Sequence, residues 1–372
     1  MRVVLYTHSL VSCWNHGNAH FLRGVLRELE ARGHQTLALE PEDGWSRRNL
    51  VEHHGNAAAS RFSRDFPELR AGTYGPHFDH AAALDGADLV IVHEWTDPTL
   101  VAALGRLRKR GGRFTLLFHD THHRAVSSAG DIADLDLDGY DGVLVFGEVL
   151  REVYLRRGWG RRVFTWHEAA DIRSFHPHPE IAREKDLVWI GNWGDGERTR
   201  ELAEFLIEPA RDLRLSGAVH GVRYPAQALQ ALRRTCLDYE GWIASRDVPL
   251  AYARHRLTLH VPRRPYTRSL LGIPTIRMFE ALACGIPLIS APWSDSENLF
   301  RPGQDFLFAR SGAEMRTHMR DLLSDPAQAA AIARSGLETI LARHTCGHRV
   351  DELLAIVDEI AALDPQTRLE NA

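Results

Sequence analysis

Along the chain, short apolar runs alternate with stretches whose apolar positions recur every three to four residues. The run Val3, Val4, Leu5, Tyr6 predicts a buried strand, and a polar loop containing Asn15, Gly17 and Asn18 follows it. Phe21, Leu22, Val25, Leu26 and Leu29 then share one helical face, with Asn18 placed to cap that helix and Gly33 to stop it. Residues 36–39, 88–93, 114–118, 142–146 and 163–166 predict further strands, with helices over 98–110 and 148–157 between them. Residues 45–78 carry no clean period, are rich in Arg, His and Gly, and read as an irregular insertion. The pattern breaks at 171–186, where His176, Pro177, His178 and Pro179 resist regular structure. It restarts with apolar runs at 187–190, 213–216, 257–261, 287–290 and 306–308, and from Gly312 the chain reads as helix.

Strands apolar on both faces, alternating with helices, predict parallel sheets covered by helices. The fold class is therefore α/β, with two tandem doubly wound, Rossmann-like domains at 1–170 and 187–345, joined by a linker at 171–186. Val350, Leu353, Leu354, Val357 and Ile360 mark a C-terminal helical segment, 346–372, expected to pack back across the domains. Such sheets take ligands at the carboxyl ends of their strands, so the interdomain cleft is the expected site.

Composition narrows the function classes. The chain has 372 residues, 44% hydrophobic and 25% charged, and 45 basic against 49 acidic side chains leave a net charge of −4. That balance argues against a general binder of nucleic-acid backbone. Cys13, Cys236, Cys284 and Cys346 are widely spaced, which excludes a disulfide framework and a sequence-visible zinc site and fits a reducing, cytoplasmic setting. No apolar run is long enough to span a bilayer. The basic cluster Arg106, Arg108, Lys109, Arg110 and Arg113 sits where positive charge suits a helix end, with weak peripheral contact to anionic lipid as the alternative.

The richest stretch is 261–287. A strand opens into a basic loop holding Arg263, Arg264 and Arg268, and Thr275 then begins a helix that Gly285 ends. First-turn amides beside arginines suit a diphosphate held without metal. Arg277 and Glu280 stand three residues apart, either as an intrahelical ion pair or with Glu280 accepting hydrogen bonds from a ribose diol. In the first domain, residues 118–123 run from a strand directly into His119, Asp120, Thr121, His122 and His123. Glu94 ends the strand before it, and Gly17 lets backbone approach a ligand. The alternating acids Asp134, Asp136 and Asp138 read as the start or cap of a helix rather than a metal motif.

Residues 277–287, Arg-Met-Phe-Glu-Ala-Leu-Ala-Cys-Gly-Ile-Pro, resemble the nucleotide-sugar signature of GT-B glycosyltransferases. The form is that of the spore-maturation (CgeB-like) branch of group 1, R-x-F-E-x-x-A-C-G. Residues 167–177 resemble the segment by which that clan leaves its first domain, and 221–256 its approach to the site. The resemblance implies a GT-B architecture in which Glu280 binds the donor ribose and the amides at Thr275, Ile276 and Arg277 meet the diphosphate. It implies that His119 contacts the donor sugar, that transfer retains configuration, and that no metal or cofactor is needed beyond the nucleotide sugar. Two departures stand out: Gly272 occupies the place of the clan's first glutamate, and the usual Arg/Lys pair is missing where Asn192 ends a strand. Arg263, Arg264 or Arg268 would then supply the charge.

The expected activity is transfer of a sugar from a nucleoside-diphosphate donor to a hydroxyl acceptor, which is a small molecule, a glycan or a protein. If the reaction inverts, Asp120 or Glu94 is the expected base. A sugar-nucleotide epimerase or hydrolase, which needs no acceptor, and a non-catalytic sugar-nucleotide-binding protein remain alternatives.

Overall fold

The first apolar run forms β1 (Arg2–Tyr6), an interior strand of a seven-stranded parallel sheet. Its neighbours are β2 (Gln35–Pro41) on one side and β4 (Leu89–His93) on the other. With β3 (Ala71–Tyr74), β5 (Thr115–Asp120), β6 (Gly142–Val145) and β7 (Val163–Thr165), the order is β3-β2-β1-β4-β5-β6-β7. The second sheet comprises β8 (Lys185–Ile190), β9 (Gly217–His220), β10 (Leu237–Gly241), β11 (His255–His260), β12 (Leu288–Ser290) and β13 (Leu307–Phe308). It is also parallel, in the order β10-β9-β8-β11-β12-β13. In each sheet the chain starts in the middle and winds outward both ways, so each has a switch point: β1/β4 in the first and β8/β11 in the second.

These sheets belong to a computed structural model that describes residues 1–363. The chain divides into two units, Met1–Glu168 with the segment from Cys346 onward, and Ala169–Thr345. The C-terminal helix Cys346–Leu363 lies against the helix Ala19–Ala31 of the first unit. There Trp166 Nε1 donates to Arg349 O at 2.8 Å and Arg32 pairs with Asp351. Residues 364–372 of the segment expected from the sequence lie outside the described residues. Among the described residues no helix is long and apolar enough to cross a membrane.

Several local expectations are corrected. Residues 45–78 are not irregular but form the helices Trp45–His54 and Asn56–Asp65 followed by the edge strand β3. In Trp45–His54 only Ser46 and Leu50 are buried, so no apolar stripe signals the helix. The strand expected at 213–216 begins at Gly217; Arg214 takes φ 52° in the preceding turn. The polar edge strand β10 was not foreseen, because an edge needs no apolar run. Asn18 stands at its helix's N-cap position but makes no capping hydrogen bond, and the helix Ala129–Ala133 ends at Asp134 rather than starting there.

Candidate functional site

At the carboxyl edge of the second sheet, Gly194, Asp195 and Gly196 all have positive φ (88°, 50° and 85°). This tight turn folds the chain after β8 back so that Arg198 reaches the switch point. Its Nη1 donates to Val261 O after β11 at 2.7 Å and its Nη2 to Asn192 O after β8 at 2.6 Å. The guanidinium lies 5.2 Å from the Trp189 ring centre, and Nε is buried without a hydrogen-bond partner. Arg198 is only 8% exposed, and its hydrogen bonds all go to neutral carbonyls. Burial, and then the neighbouring Arg263, push its pKa down to about 9. A buried cation without a bonded carboxylate favours an anion at its unbonded N–H groups, Nε among them. A Cβ on Gly194 would stand 3.1 Å from Arg198 Nε and 3.4 Å from Arg263 Nε, so the two arginines converge on this glycine.

The arginines expected from the sequence sit in different settings. Residues Arg264–Arg268 form a short helix instead of an open loop. Arg263 pairs with Glu197 at 3.1 Å and Arg264 with Glu201 at 3.0 Å, while Arg268 is exposed at the helix end with no ion pair among the described residues. Asn192 has a local task besides holding Arg198, since its Oδ1 accepts from Val222 N at 2.9 Å. Arg198 was not singled out from the sequence; its only signal there was the glycine-rich turn before it.

Thr275 stands at the N-cap position of the helix Ile276–Ala283 without a side-chain bond to it, so the first-turn amides of Ile276 and Arg277 have no capping oxygen from Thr275. Glu280 is fully buried and pairs with Arg277 Nη1, so the ion pair is present. Its charge raises the pKa values of the buried Tyr252 and Cys284, though burial is the larger cause in both. Gly272 has φ 99°, a conformation that strains any side chain, and a Cβ there would stand 2.4 Å from Ser296 Oγ. His260, at the end of β11, shares a 2.9 Å hydrogen bond between Nδ1 and Ser290 Oγ. Because Ser290 Oγ donates to Ala291 O, the imidazole donates from Nδ1 and keeps Nε2 as an acceptor. Burial and Arg198 push its pKa to about 3.

At the carboxyl edge of the first sheet the pleat separates the expected residues. His119 turns into the core against Trp166 (4.9 Å between ring centres) and His93 (5.7 Å), and neither ring nitrogen has a partner. Burial pushes its pKa to about 3. Asp120 accepts from Tyr154 OH at 2.7 Å and from the backbone N–H of His122 at 3.0 Å. Glu94 Oε1 accepts from Thr121 N at 3.1 Å and Thr121 Oγ1 at 3.3 Å, with Arg124 3.7 Å from Oε2. Both carboxyls are buried with raised pKa values, Glu94 by burial and then by the charge of Asp120. The structure thus groups Glu94 with Asp120 and sets His119 apart. In the first loop, Asn15 rather than Gly17 takes the left-handed conformation, with φ 48°. Among the described residues no group of three or more His, Cys, Asp or Glu side chains is arranged to hold a metal ion.

The raised Glu94 pKa gives a test. Between the unfolded carboxyl value of about 4.5 and its native value, the folded state binds the extra proton, so stability falls as pH rises through that window. Glu94→Gln removes the titration and keeps a donor toward Asp120. It should raise the urea midpoint at pH 8 by the equivalent of about 1–2 kcal/mol, with the advantage shrinking toward pH 4.5. An equal midpoint at pH 8 would show that Glu94 is ionised without cost.

Residues 198–355 match a family model described as glycosyl transferase-like. The matched segment begins at Arg198 and includes the helix of Glu280. Over nearly its whole length the chain superimposes on sucrose-phosphate synthase from Thermosynechococcus elongatus, with TM-score 0.67, 15% identity, and 98% of this chain and 100% of that one covered. The chain has the GT-B fold. The Anabaena protein HepE in complex with UDP and glucose shares it, with TM-score 0.68, 14% identity, and coverage of 96% and 100%. So does an alpha-glucosyltransferase in complex with UDP and a 13-mer DNA, with TM-score 0.68, 11% identity, and coverage of 96% and 99%. No curated protein matches the chain significantly. Within this GT-B fold, the β8/β11 switch point and the helix Ile276–Ala283 both lie in the second unit.

Proposed function

We propose that the chain is a glycosyltransferase of the CgeB-like kind, moving a hexose from a nucleoside-diphosphate sugar to a hydroxyl acceptor with retention and without metal. The observation that carries the reading is Arg198, a buried guanidinium bonded only to carbonyls at a sheet switch point. In this reading Arg198, Arg263 and the amides of Ile276 and Arg277 at Thr275 hold the diphosphate. Glu280, oriented by Arg277, receives the ribose hydroxyls. The complexes of HepE and the alpha-glucosyltransferase with UDP support a uridine donor. The first unit takes the acceptor, and four cysteines, none of them in a disulfide, fit a cytoplasmic setting.

During transfer the bond between the anomeric carbon and the diphosphate oxygen breaks as the acceptor oxygen attacks from the same face. The departing oxygen takes the acceptor proton, and the arginines stabilise its charge electrostatically. No separate base is required, and Asp120 is poorly suited to be one because both its oxygens already accept hydrogen bonds. His119 packs beneath the sheet edge, and the reading gives it a supporting role.

A thermal-shift screen of UDP, GDP, dTDP and their sugars tests the reading, since a ligand of the native state raises the melting temperature. One diphosphate series should stabilise the protein; no response to any of them would refute the reading. Products then separate the alternatives: reaction with donor alone marks an epimerase or hydrolase, and binding without diphosphate release with any acceptor marks a sensor. Glu280→Gln should weaken nucleoside-diphosphate binding by about 10- to 100-fold, the loss of one charge-assisted hydrogen bond to the ribose. Unchanged affinity would leave Glu280 with only its ion-pair role.

A further inference from the structure

We propose that the carboxyl edge of the first sheet is a carbohydrate platform on which a sugar ring of the acceptor stacks against Trp95 and Trp45 around His8. The inference rests on the reading of the first unit as the acceptor side, and it names the acceptor's chemical class. Strands β2, β1 and β4 are adjacent, so the segments that follow them meet at one edge, over the β1/β4 switch point. His8 follows β1, Trp45 follows β2 and Trp95 follows β4. The His8 ring centre lies 6.3 Å from that of Trp45 and 6.3 Å from that of Trp95. Trp45 is 37% exposed and Trp95 46%, an unusual amount of indole surface to leave in water on both sides of one imidazole.

The platform is held in place. Arg124 stands 4.4 Å from the Trp95 ring centre and donates from Nη1 to Glu94 O at 3.0 Å, while His122 meets the same indole edge-on at 5.4 Å. On the other side, Trp14 meets Trp45 edge-on at 5.1 Å. An indole fixed this way loses little freedom when a ligand stacks on it. Aromatic faces carry negative charge density, which attracts the polarised C–H groups of a sugar ring. The same segments also carry polar atoms suited to hydroxyls. Thr7 Oγ1, Thr96 Oγ1 and the side-chain amide of Asn18 are all more than nine-tenths buried and have no hydrogen-bond partner. An apolar wall with a few convergent polar groups is the composition of a small-molecule site, and stacking faces beside hydroxyl and amide groups select a saccharide among such molecules.

The test uses the full chain labelled with 5-fluorotryptophan, with the fluorine resonances of Trp45 and Trp95 identified from Trp45→Phe and Trp95→Phe. Methyl α- and β-glucosides, methyl α-mannoside, maltose and cellobiose are titrated to their solubility limits, with glycerol and p-nitrophenol as controls. At least one saccharide should move both resonances saturably, and Trp95→Ala should weaken that binding by about tenfold or more. Movement no greater than with glycerol for every saccharide, or equal movement with p-nitrophenol, overturns the proposal. Melting-temperature response to UDP, GDP and dTDP is read in parallel. A protein that answers a nucleotide but no saccharide refutes the platform alone, and one that answers saccharides but none of the three nucleotides refutes the transferase reading alone.

Discussion

Replacing Arg198 with methionine is expected to weaken binding of a nucleoside diphosphate by about 100-fold or more while the protein stays folded. The guanidinium already spends two donors on Val261 O and Asn192 O, and its Nε is buried without a hydrogen-bond partner. A phosphate oxygen there would gain a charge-assisted hydrogen bond in a low-dielectric setting, and long-range attraction adds to it. Removing the side chain abolishes both. The folding cost is small because opposing effects offset one another. Desolvating the cation costs several kcal/mol, which methionine avoids, whereas the two freed carbonyls lose about 1–3 kcal/mol each. Calorimetric titration with UDP, alongside the melting temperature without ligand, separates the effects. Arg198→Lys keeps the charge but not the planar fork, and should fall between the two. A methionine variant that binds UDP as tightly as the parent would remove Arg198 from the site.

The second large effect is on stability at mild acid. His8, His16, His93 and His119 lie in the first unit with pKa values pushed down chiefly by burial, to about 4 for His8 and about 3 for His119. A histidine depressed in the native state binds its proton only after unfolding, so its contribution is fully present above pH 6.5 and is lost as pH falls through that value toward its native one. Each contributes about 1.4 kcal/mol per pH unit across its window. The raised carboxyls of Glu94 and Asp120 oppose this, but the histidines outnumber them, so stability falls as pH drops from about 6.5 toward 4.5. Urea denaturation followed by circular dichroism at half-unit steps reads the slope. A midpoint that stays level from pH 7 to pH 5 would mean that these imidazoles are hydrated or paired when folded.

The elements most legible in the sequence are those whose local pattern and tertiary burial agree. β1, β4 and β5 are buried on both faces and are written as apolar runs, and the helix Ala19–Ala31 buries the face its spacing marks. Edge strands β3 and β10 and the helix Trp45–His54 bury too little to leave a pattern. The signature around Glu280 was readable because its residues are consecutive. Arg198 was not, because its place at the switch point arises only when the turn after β8 and the end of β11 become neighbours. The direction of His119 was also hidden. A polar run at a strand end alternates between faces, and its register decides which residue enters the core. The glycine at 272 has a local cause visible only in three dimensions, the positive φ beside Ser296.

Hydrogen exchange with and without a saturating nucleoside diphosphate tests most directly whether the second unit grips a nucleotide. The account predicts slowed exchange at residues 191–198 and in the first turn of the helix Ile276–Ala283, with the outer strands of that sheet unchanged. Slowing confined to the first unit, or none at either segment while UDP is bound, would contradict it.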